Sequence, residues 1–249
     1  MKYLNPLNYI NYLTKKIKNI KKIKNLIYKY SSGSIYSYKF LYKKLKQIKN
    51  INQLVNFHFR TYSHADHINK KIFEILLSHP EKKSLNILET GSSAHGCNSS
   101  ILFISYIYKF GGTFNTVDIN PGIKKSLNHL AKKGINFHTS DSVTFINNLD
   151  VSFVNKLDLV YLDSFDLDIE NPNPAEEHGL MEFLSLEKNL RKGAYIAIDD
   201  TPNDIKLFGV EKNKYKHVPG KGALVLKHIE KNGGYEIIYH HYGVILKKL

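Results

Sequence analysis

Residues 85–100 combine an acid, a glycine and small polar residues in an order that can bind a ligand. They are typical of a strand, a loop and the start of a helix. A ligand in a doubly wound sheet lies beyond the carboxyl ends of the strands, where Gly91 permits close backbone approach and the helix start offers N–H groups to a carboxylate. Glu89 stands where an acid can meet a cationic amino group but would repel a pyrophosphate, and the G-x-G-x-x-G spacing of dinucleotide sites is missing. Ser92 and Ser93 line the same loop.

Further polar residues fall at the ends of the next two predicted strands. Asp118 ends the second strand, where an acid can accept both hydroxyls of a ribose, or where it could instead cap the helix that begins near Pro121. Asp141 and Ser142 follow the third strand. Asp141 could accept a hydrogen bond from an adenine amino group or serve only as a helix cap.

Carboxylates also gather after the fourth and fifth predicted strands. Asp163 and Asp166 follow the fourth strand, and Asp199 and Asp200 follow the fifth. Neighbouring parallel strands bring such ends together, and clustered carboxylates repel each other unless a cation binds or some are protonated. A hard divalent ion with oxygen ligands, such as Mg²⁺, would relieve that repulsion. The alternative is that these aspartates are turn, cap and solvated surface residues.

The elements that position these residues alternate between strand and helix signals, which is typical of a parallel sheet. The predicted strands cover residues 85–89, 113–118, 136–139, 157–162 and 194–199, and the predicted helices between them cover 98–110, 121–133, 142–149 and 177–190. Residues 222–228 and 235–244, separated by Asn232-Gly233-Gly234, predict an antiparallel hairpin. The predicted fold class is α/β: a Rossmann-like doubly wound sheet of five parallel strands plus a C-terminal antiparallel hairpin.

Ahead of this sheet, the pattern predicts helices over residues 7–30, 37–49 and 64–78, the last ended by His79-Pro80. Residues 1–50 contain 13 lysines and no arginine or acid, whereas the remaining 199 residues carry 23 basic and 22 acidic side chains. We therefore predict a basic helical extension, 1–50, followed by a nearly neutral domain, 51–249. The helix over 7–30 is amphipathic, and it could lie on an anionic membrane, bind an acidic partner, or pack on its own domain or a second subunit.

Composition excludes several classes of protein. No apolar run approaches the length of a membrane-spanning helix, and the N-terminus lacks the pattern of a secretory signal. A single cysteine, Cys97, excludes an internal disulfide framework and a cysteine-rich zinc site. These features favour a cytoplasmic protein, peripheral to a membrane if the extension binds lipid. A nearly neutral domain also argues against one that itself grips nucleic-acid phosphates.

The series of Glu89 with Gly91, Asp118, Asp141 with Ser142, and Leu162-Asp163 resembles the class I S-adenosylmethionine-dependent methyltransferases over roughly residues 60–247. The resemblance implies that S-adenosylmethionine is the cofactor and that Glu89 meets the amino group of its methionine moiety. Asp118 and Asp141 would then meet the ribose and the adenine.

On the acceptor side the pattern is similar to metal-dependent O-methyltransferases, including catechol-type and sugar-modifying enzymes. That resemblance implies that Asp163, Asp199 and Asp200 hold Mg²⁺, which lowers the pKa of an acceptor hydroxyl, and that Asp166 or His178 is the general base. The expected activity is O-methylation of a sugar or other small hydroxyl-bearing acceptor. Two alternatives remain at this point: a nucleic-acid methyltransferase that uses the lysine-rich extension, and a non-catalytic binding module of the same fold.

Overall fold

The computed structural model describes residues 38–81, 83–92, 97–211 and 214–249. Leu45–Leu249 form one compact unit, and Met1–Lys44, of which residues 38–44 are described, constitute another. The predicted helix over residues 7–30 and the predicted ligand-binding residue Ser93 lie outside the described residues. The predicted domain division at residue 50 stays a prediction.

The described elements alternate along the chain as the sequence predicts. The helices are α1 (Tyr38–Gln47), α2 (Ile51–Tyr62), α3 (Lys70–Ser78), α4 (Ser99–Phe110), α5 (Pro121–Leu127), α6 (Ser142–Asn147), α7 (Val151–Val154), α8 (Asn173–Glu187) and α9 (Ala223–Asn232). The strands are β1 (Leu85–Thr90), β2 (Gly112–Asp118), β3 (Ile135–Thr139), β4 (Leu159–Leu162), β5 (Tyr195–Ile198), β6 (Tyr235–His240) and β7 (Val244–Lys248). Short 3-10 helices cover Asn128–Leu130 and Ile205–Phe208.

The seven strands form one sheet in the order β3-β2-β1-β4-β5-β7-β6. Strands β1 to β5 are mutually parallel, and β7 pairs antiparallel with both β5 and β6. The predicted Rossmann-like plan of five parallel strands and a C-terminal antiparallel pair is therefore confirmed. The order in which strands are added to the sheet reverses between β1 and β4, because β2 and β3 lie on one side of β1 and β4 and β5 on the other. The carboxyl ends of β1, β2 and β4 therefore flank the crevice in which doubly wound sheets bind ligands.

Both faces of the sheet are covered, which explains why β4 and β5 are apolar along their length. On one face Phe73 of α3 and Phe103 of α4 pack against Tyr161 of β4, with ring centroids 5.1 and 5.7 Å apart. On the other face Val160 and Leu162 of β4 belong to a buried cluster that also contains residues of α8 and α9. The two faces hold β4 rigidly, so the residues that follow it are well positioned.

The C-terminal hairpin is built from different segments than the sequence predicted. The apolar run at residues 222–228 is the first half of α9, which ends at Gly233 with φ 72°, a conformation that favours glycine. Short apolar runs do not distinguish a strand from a buried helix, and this one buries Val225 and Ile229 at helical spacing. The single strand predicted over residues 235–244 is instead β6, and β7 follows after a turn in which the His241 N–H donates to the Gly243 carbonyl.

The helix predicted over residues 64–78 begins only at Lys70. The preceding residues form turns, because the N–H groups of His67 and Lys70 donate to the carbonyls of His64 and His67. Asn69 is buried there and reaches the end of β5. None of the described helices is long and apolar enough to cross a membrane.

Candidate functional site

Glu89, near the end of β1, is a fully buried acid with one oxygen left open. Its Oε2 accepts hydrogen bonds from Ser100 Oγ at 2.5 Å and Thr116 Oγ1 at 2.7 Å. Its Oε1 is buried and has no hydrogen-bond partner among the described residues. Burial raises the pKa of the Glu89 carboxyl to about 7, against the weaker effect of these hydrogen bonds. A cation beside Oε1 would favour the ionised form.

Gly91 begins the loop after β1 and lies very close to the chain segment that follows β4. Its φ is +77°, and a Cβ at this position would lie 2.0 Å from the carbonyl oxygen of Asp163. The next residue, Ser92, donates its N–H to Asp118 Oδ2 at 3.0 Å, and its hydroxyl lies 2.5 Å from Thr116 Oγ1. The loop is therefore tied to both β4 and β2.

Asp118 at the end of β2 is held by main-chain donors. Besides Ser92, the N–H of Asn120 donates to Asp118 Oδ1 at 2.7 Å. The cap of α5 is Asn120 and not Asp118, because Asn120 Oδ1 accepts from Gly122 N at 2.9 Å. The carboxylate of Asp118 is thus fixed beside the β1 loop while each oxygen keeps a lone pair for a ligand.

Asp141 and Ser142 follow β3 and start α6. The predicted cap is present: Asp141 Oδ1 accepts from Thr144 N at 2.8 Å, and this bond lowers the pKa of the exposed Asp141 carboxyl. The predicted contact of Asp141 with an adenine stays a prediction. Ser142 is buried, and its hydroxyl lies 2.9 Å from His178 Nε2, which links the predicted cofactor side to the predicted base.

Asp163, Asp199 and Asp200 come together at the ends of β4 and β5, and we call them the aspartate cluster. The carboxylate of Asp199 is buried and already bonded, since it accepts from Asn69 Nδ2 at 2.8 and 2.9 Å and from the Tyr161 hydroxyl at 2.8 Å. Lys221 supplies a cation: its Nζ lies 2.5 Å from Asp163 Oδ1 and 3.1 Å from Asp200 Oδ2.

The electrostatics of the cluster follow from its burial. Burial raises the pKa of Asp163 and of Asp199, and the like charges of the cluster add to the effect. Burial opposes the charge on Lys221, but the attraction of Asp163 and Asp200 outweighs it and raises the pKa of the ammonium. Lys221, which is 5% exposed, is therefore a buried cation.

The arrangement does not fit a divalent ion. Among the described residues, no group of three or more His, Cys, Asp or Glu side chains is placed to hold a metal ion. The ammonium of Lys221 stands between Asp163 and Asp200, and Asn69 and Tyr161 take up the oxygens of Asp199. The structure thus brings the predicted ligands Asp163, Asp199 and Asp200 together, but around a lysine.

His178 and Asp166, the two candidate bases, lie in different surroundings. His178 is on the first turns of α8, and its Nε2 lies 3.6 Å from Oε1 of the buried Glu182, which raises the pKa of His178. Ser164 Oγ holds Glu182 by donating to Oε1 at 2.7 Å. Asp166 is exposed and does not line the small cavity shared by Asp163, His178, Glu182 and Lys221. The geometry favours His178.

Sequence reasoning missed three residues of this site: Glu182, Lys221 and Asn69. The spacing of four residues between His178 and Glu182 on a helix was a usable signal, because such residues share a face. For Lys221 the sequence pattern indicates a turn or a contact with an anionic acceptor, and only tertiary structure shows that it enters the aspartate cluster. Asn69 was placed within a helix, although it lies just before one and faces Asp199.

Comparison with known proteins finds likeness in structure alone. No protein-family model and no curated protein matches the sequence. The solved structure of MycE methyltransferase from the mycinamycin biosynthetic pathway, in complex with Mg and SAH, superimposes with a TM-score of 0.57 at 15% identity over 81% of this chain. The same enzyme with Mg, SAH and mycinamycin VI gives a TM-score of 0.57 at 15% identity over 80% of this chain.

This chain spans about half of MycE, namely 55% and 54% of the two solved chains. A protein from Corynebacterium glutamicum superimposes with a TM-score of 0.50 at 12% identity, covering 85% of this chain and 96% of that one. At these identities the likeness concerns the fold alone. The chain has the Rossmann-like fold of class I methyltransferases.

Proposed function

We propose that this protein is an S-adenosylmethionine-dependent methyltransferase that methylates a hydroxyl of a sugar or another small acceptor. The observation that carries the proposal is the bond from Ser92 N–H to Asp118 Oδ2, because it fixes an acid at the end of β2 against the glycine loop of β1. In this fold that is where a ribose would be held. The MycE structures, which contain SAH, support the same cofactor here.

The residues around this bond have the chemistry that the cofactor requires. Glu89 offers a buried, unpartnered oxygen to the ammonium of the methionine moiety. Asp118 offers both carboxylate oxygens to the ribose hydroxyls, and Asp141 keeps Oδ2 for the adenine amino group while Oδ1 caps α6. Gly91 lies between Glu89 and Asp118 along this edge of the sheet and lets the loop after β1 pack against the main chain of Asp163.

On the acceptor side, His178 is the proposed general base. The acceptor oxygen attacks the sulfonium methyl, the carbon–sulfur bond breaks, and the hydroxyl proton passes to His178, giving a methyl ether and S-adenosylhomocysteine. Glu182 orients the imidazole and stabilises its protonated form. Positioning supplies most of the acceleration, because the sulfonium is already an activated methyl donor. Since the aspartate cluster does not fit a divalent ion, no step is routed through one.

The basic extension of residues 1–50 and the domain of residues 51–249 belong to this proposal as separate parts. The extension would bind an anionic membrane surface, an acidic partner or a second subunit, and the domain would carry the reaction. A small-molecule acceptor is supported by the MycE complex with mycinamycin VI. If the extension instead served a nucleic-acid acceptor, nucleic-acid binding would fall steeply with salt and vanish on its removal.

The test is calorimetric titration of S-adenosylhomocysteine into the whole chain. We expect micromolar binding that is lost in Asp118→Ala and kept in Asp150→Ala, a matched change at an exposed aspartate that makes no side-chain cap bond. Absence of binding to the folded wild-type protein would contradict the proposed function. Equal binding by Asp118→Ala would contradict the role of Asp118.

A further inference from the structure

The positive charge inside the aspartate cluster is the ammonium group of Lys221. A lysine ammonium has three N–H donors, and here two of them are directed to Asp163 Oδ1 and Asp200 Oδ2. The carboxylate of Asp199 accepts hydrogen bonds from Asn69 and Tyr161. Lys221 lines the small cavity that Asp163 and His178 also line.

Main-chain hydrogen bonds and close packing fix the position of the Lys221 backbone. Its N–H donates to the carbonyl of Asp200 at 3.0 Å, and the next residue, Gly222, donates to Thr201 Oγ1 at 2.9 Å. Gly179 of α8 approaches so closely that a Cβ there would lie 2.3 Å from the Lys221 carbonyl oxygen. The residue is thus fixed between the end of β5 and the helix that carries His178.

We propose that Lys221 is a built-in cation of the acceptor site, taking the position that a divalent ion would occupy between Asp163 and Asp200. The occupied site excludes the ion, so the cluster binds no divalent metal while Lys221 is present. In the proposed reaction, the third N–H of the ammonium holds the acceptor oxygen while His178 removes its proton. This last role rests on the proposed function, whereas exclusion of the metal does not.

The exclusion is tested by titrating Mn²⁺ and following the electron paramagnetic resonance signal of the free ion. Mn²⁺ prefers oxygen ligands, and its free signal is lost on binding. We expect no specific binding by the wild-type chain, and about one equivalent bound by Lys221→Met, which keeps the apolar stem but removes the ammonium. The double variant Lys221→Met with Asp163→Asn should lose that equivalent, which assigns it to the aspartate cluster.

Two results would overturn the proposal. One is binding of Mn²⁺ by the wild-type chain that disappears in Asp163→Asn, because Lys221 would then yield to the metal. The other is a folded Lys221→Met variant that binds no Mn²⁺, because the lysine would then fill no cation position. If Lys221→Met does not fold, the wild-type and Asp163→Asn titrations still decide between exclusion and displacement.

Titration of S-adenosylhomocysteine into the same samples separates this proposal from the proposed function. Lys221 lies away from Glu89 and Asp118 in the hydrogen-bond network, so we expect Lys221→Met to bind this ligand as the wild type does. Failure of the ligand to bind the wild type would contradict the methyltransferase proposal while the Mn²⁺ result still stood. Lys221→Arg is the control for charge: because it keeps the positive charge, it should bind no Mn²⁺.

Discussion

Gly91 faces the main chain of Asp163 so closely that no side chain fits between them. A Cβ on Gly91 would lie 2.0 Å from the Asp163 carbonyl oxygen and 2.7 Å from the Cα of Ser164. The contact joins the loop after β1, which carries the proposed cofactor residues, to the end of β4, which carries the proposed acceptor residues. A change at Gly91 should therefore affect both halves of the site.

We predict that Gly91→Ala destabilises the protein and abolishes binding of S-adenosylhomocysteine. The methyl group meets main-chain atoms that cannot rotate away, and the positive φ adds backbone strain of about 1–2 kcal/mol. Gly209→Ala is the matched control, because Gly209 has φ +75° but a Cβ there meets nothing within 4 Å. Thermal unfolding should show the strain alone in Gly209→Ala, with ligand binding intact. Equal effects of the two substitutions would contradict the steric argument.

Glu89 should make cofactor binding depend on pH. Burial raises the pKa of Glu89 to about 7 in the free protein, and an ammonium ligand would lower it again, so binding releases a proton near neutral pH. We predict that affinity for S-adenosylhomocysteine falls about tenfold between about pH 8 and pH 6. Glu89→Gln should bind weakly and with little dependence on pH, while Glu236→Gln, at an exposed glutamate of β6, should behave as the wild type.

The raised pKa of Glu89 also predicts how the stability of the ligand-free protein depends on pH. A carboxyl group whose folded pKa lies above its unfolded value of 4.5 stabilises the fold fully below that value, and this contribution is lost as pH rises through about 7. Glu89→Gln should therefore flatten the decline in stability over this window. Urea unfolding of the wild type and of Glu89→Gln between about pH 4.5 and pH 7 measures this difference in stability. An unchanged pH dependence in the variant would contradict the raised pKa.

The sequence was most informative where a residue follows a central strand. Glu89, Asp118, Asp163 and Asp199 were located correctly because apolar strands of a parallel sheet end at one edge, which requires no knowledge of side-chain contacts. Lys221 could not be predicted in the same way. It follows β5 by more than twenty residues, and its position depends on how that connection folds back over the strand ends.

The prediction of a strand over residues 222–228 was wrong because it also depended on tertiary contacts. Residues 222–228 are apolar and short, so local pattern could not separate a strand from the first turns of α9. The choice is made by burial of Val225 and Ile229 against the cluster that covers β4 and β5. An antiparallel pair is present as the sequence predicts, but it joins β6 to β7 and not residues 222–228 to residues 235–244.

Glu182 should control the basicity of His178. The carboxylate of Glu182 raises the pKa of His178, so we predict that Glu182→Gln lowers it. Glu177→Gln is the matched control, since Glu177 is exposed on the same helix turn and does not contribute to the shift. Titration of the His178 imidazole by NMR measures its pKa in both variants, and it needs no acceptor. Once an acceptor is known, the rate should rise with pH through the pKa of His178, and Glu182→Gln should move that rise to lower pH.

The last prediction concerns Asn69, which supports the aspartate cluster from outside the sheet. Its amide donates to both oxygens of Asp199, whose carboxylate is buried. Asn69→Ala would leave a buried carboxylate with the Tyr161 hydroxyl and the Asp200 N–H, and we predict a loss of about 1–3 kcal/mol in the free energy of unfolding. Urea denaturation measures it.

Asn147→Ala is the control for this prediction, because Asn147 is exposed at the end of α6 and its loss should change stability by less than about 0.5 kcal/mol. The stability that Asn69→Ala loses relative to the wild type should be larger at neutral pH than at acidic pH. The reason is that protonation of Asp199 removes the charge to which Asn69 donates its hydrogen bonds. Burial raises the pKa of Asp199 above its ordinary value, so protonation restores stability as pH falls through that raised pKa. A deficit independent of pH would indicate that Asn69 acts through packing and not through the carboxylate.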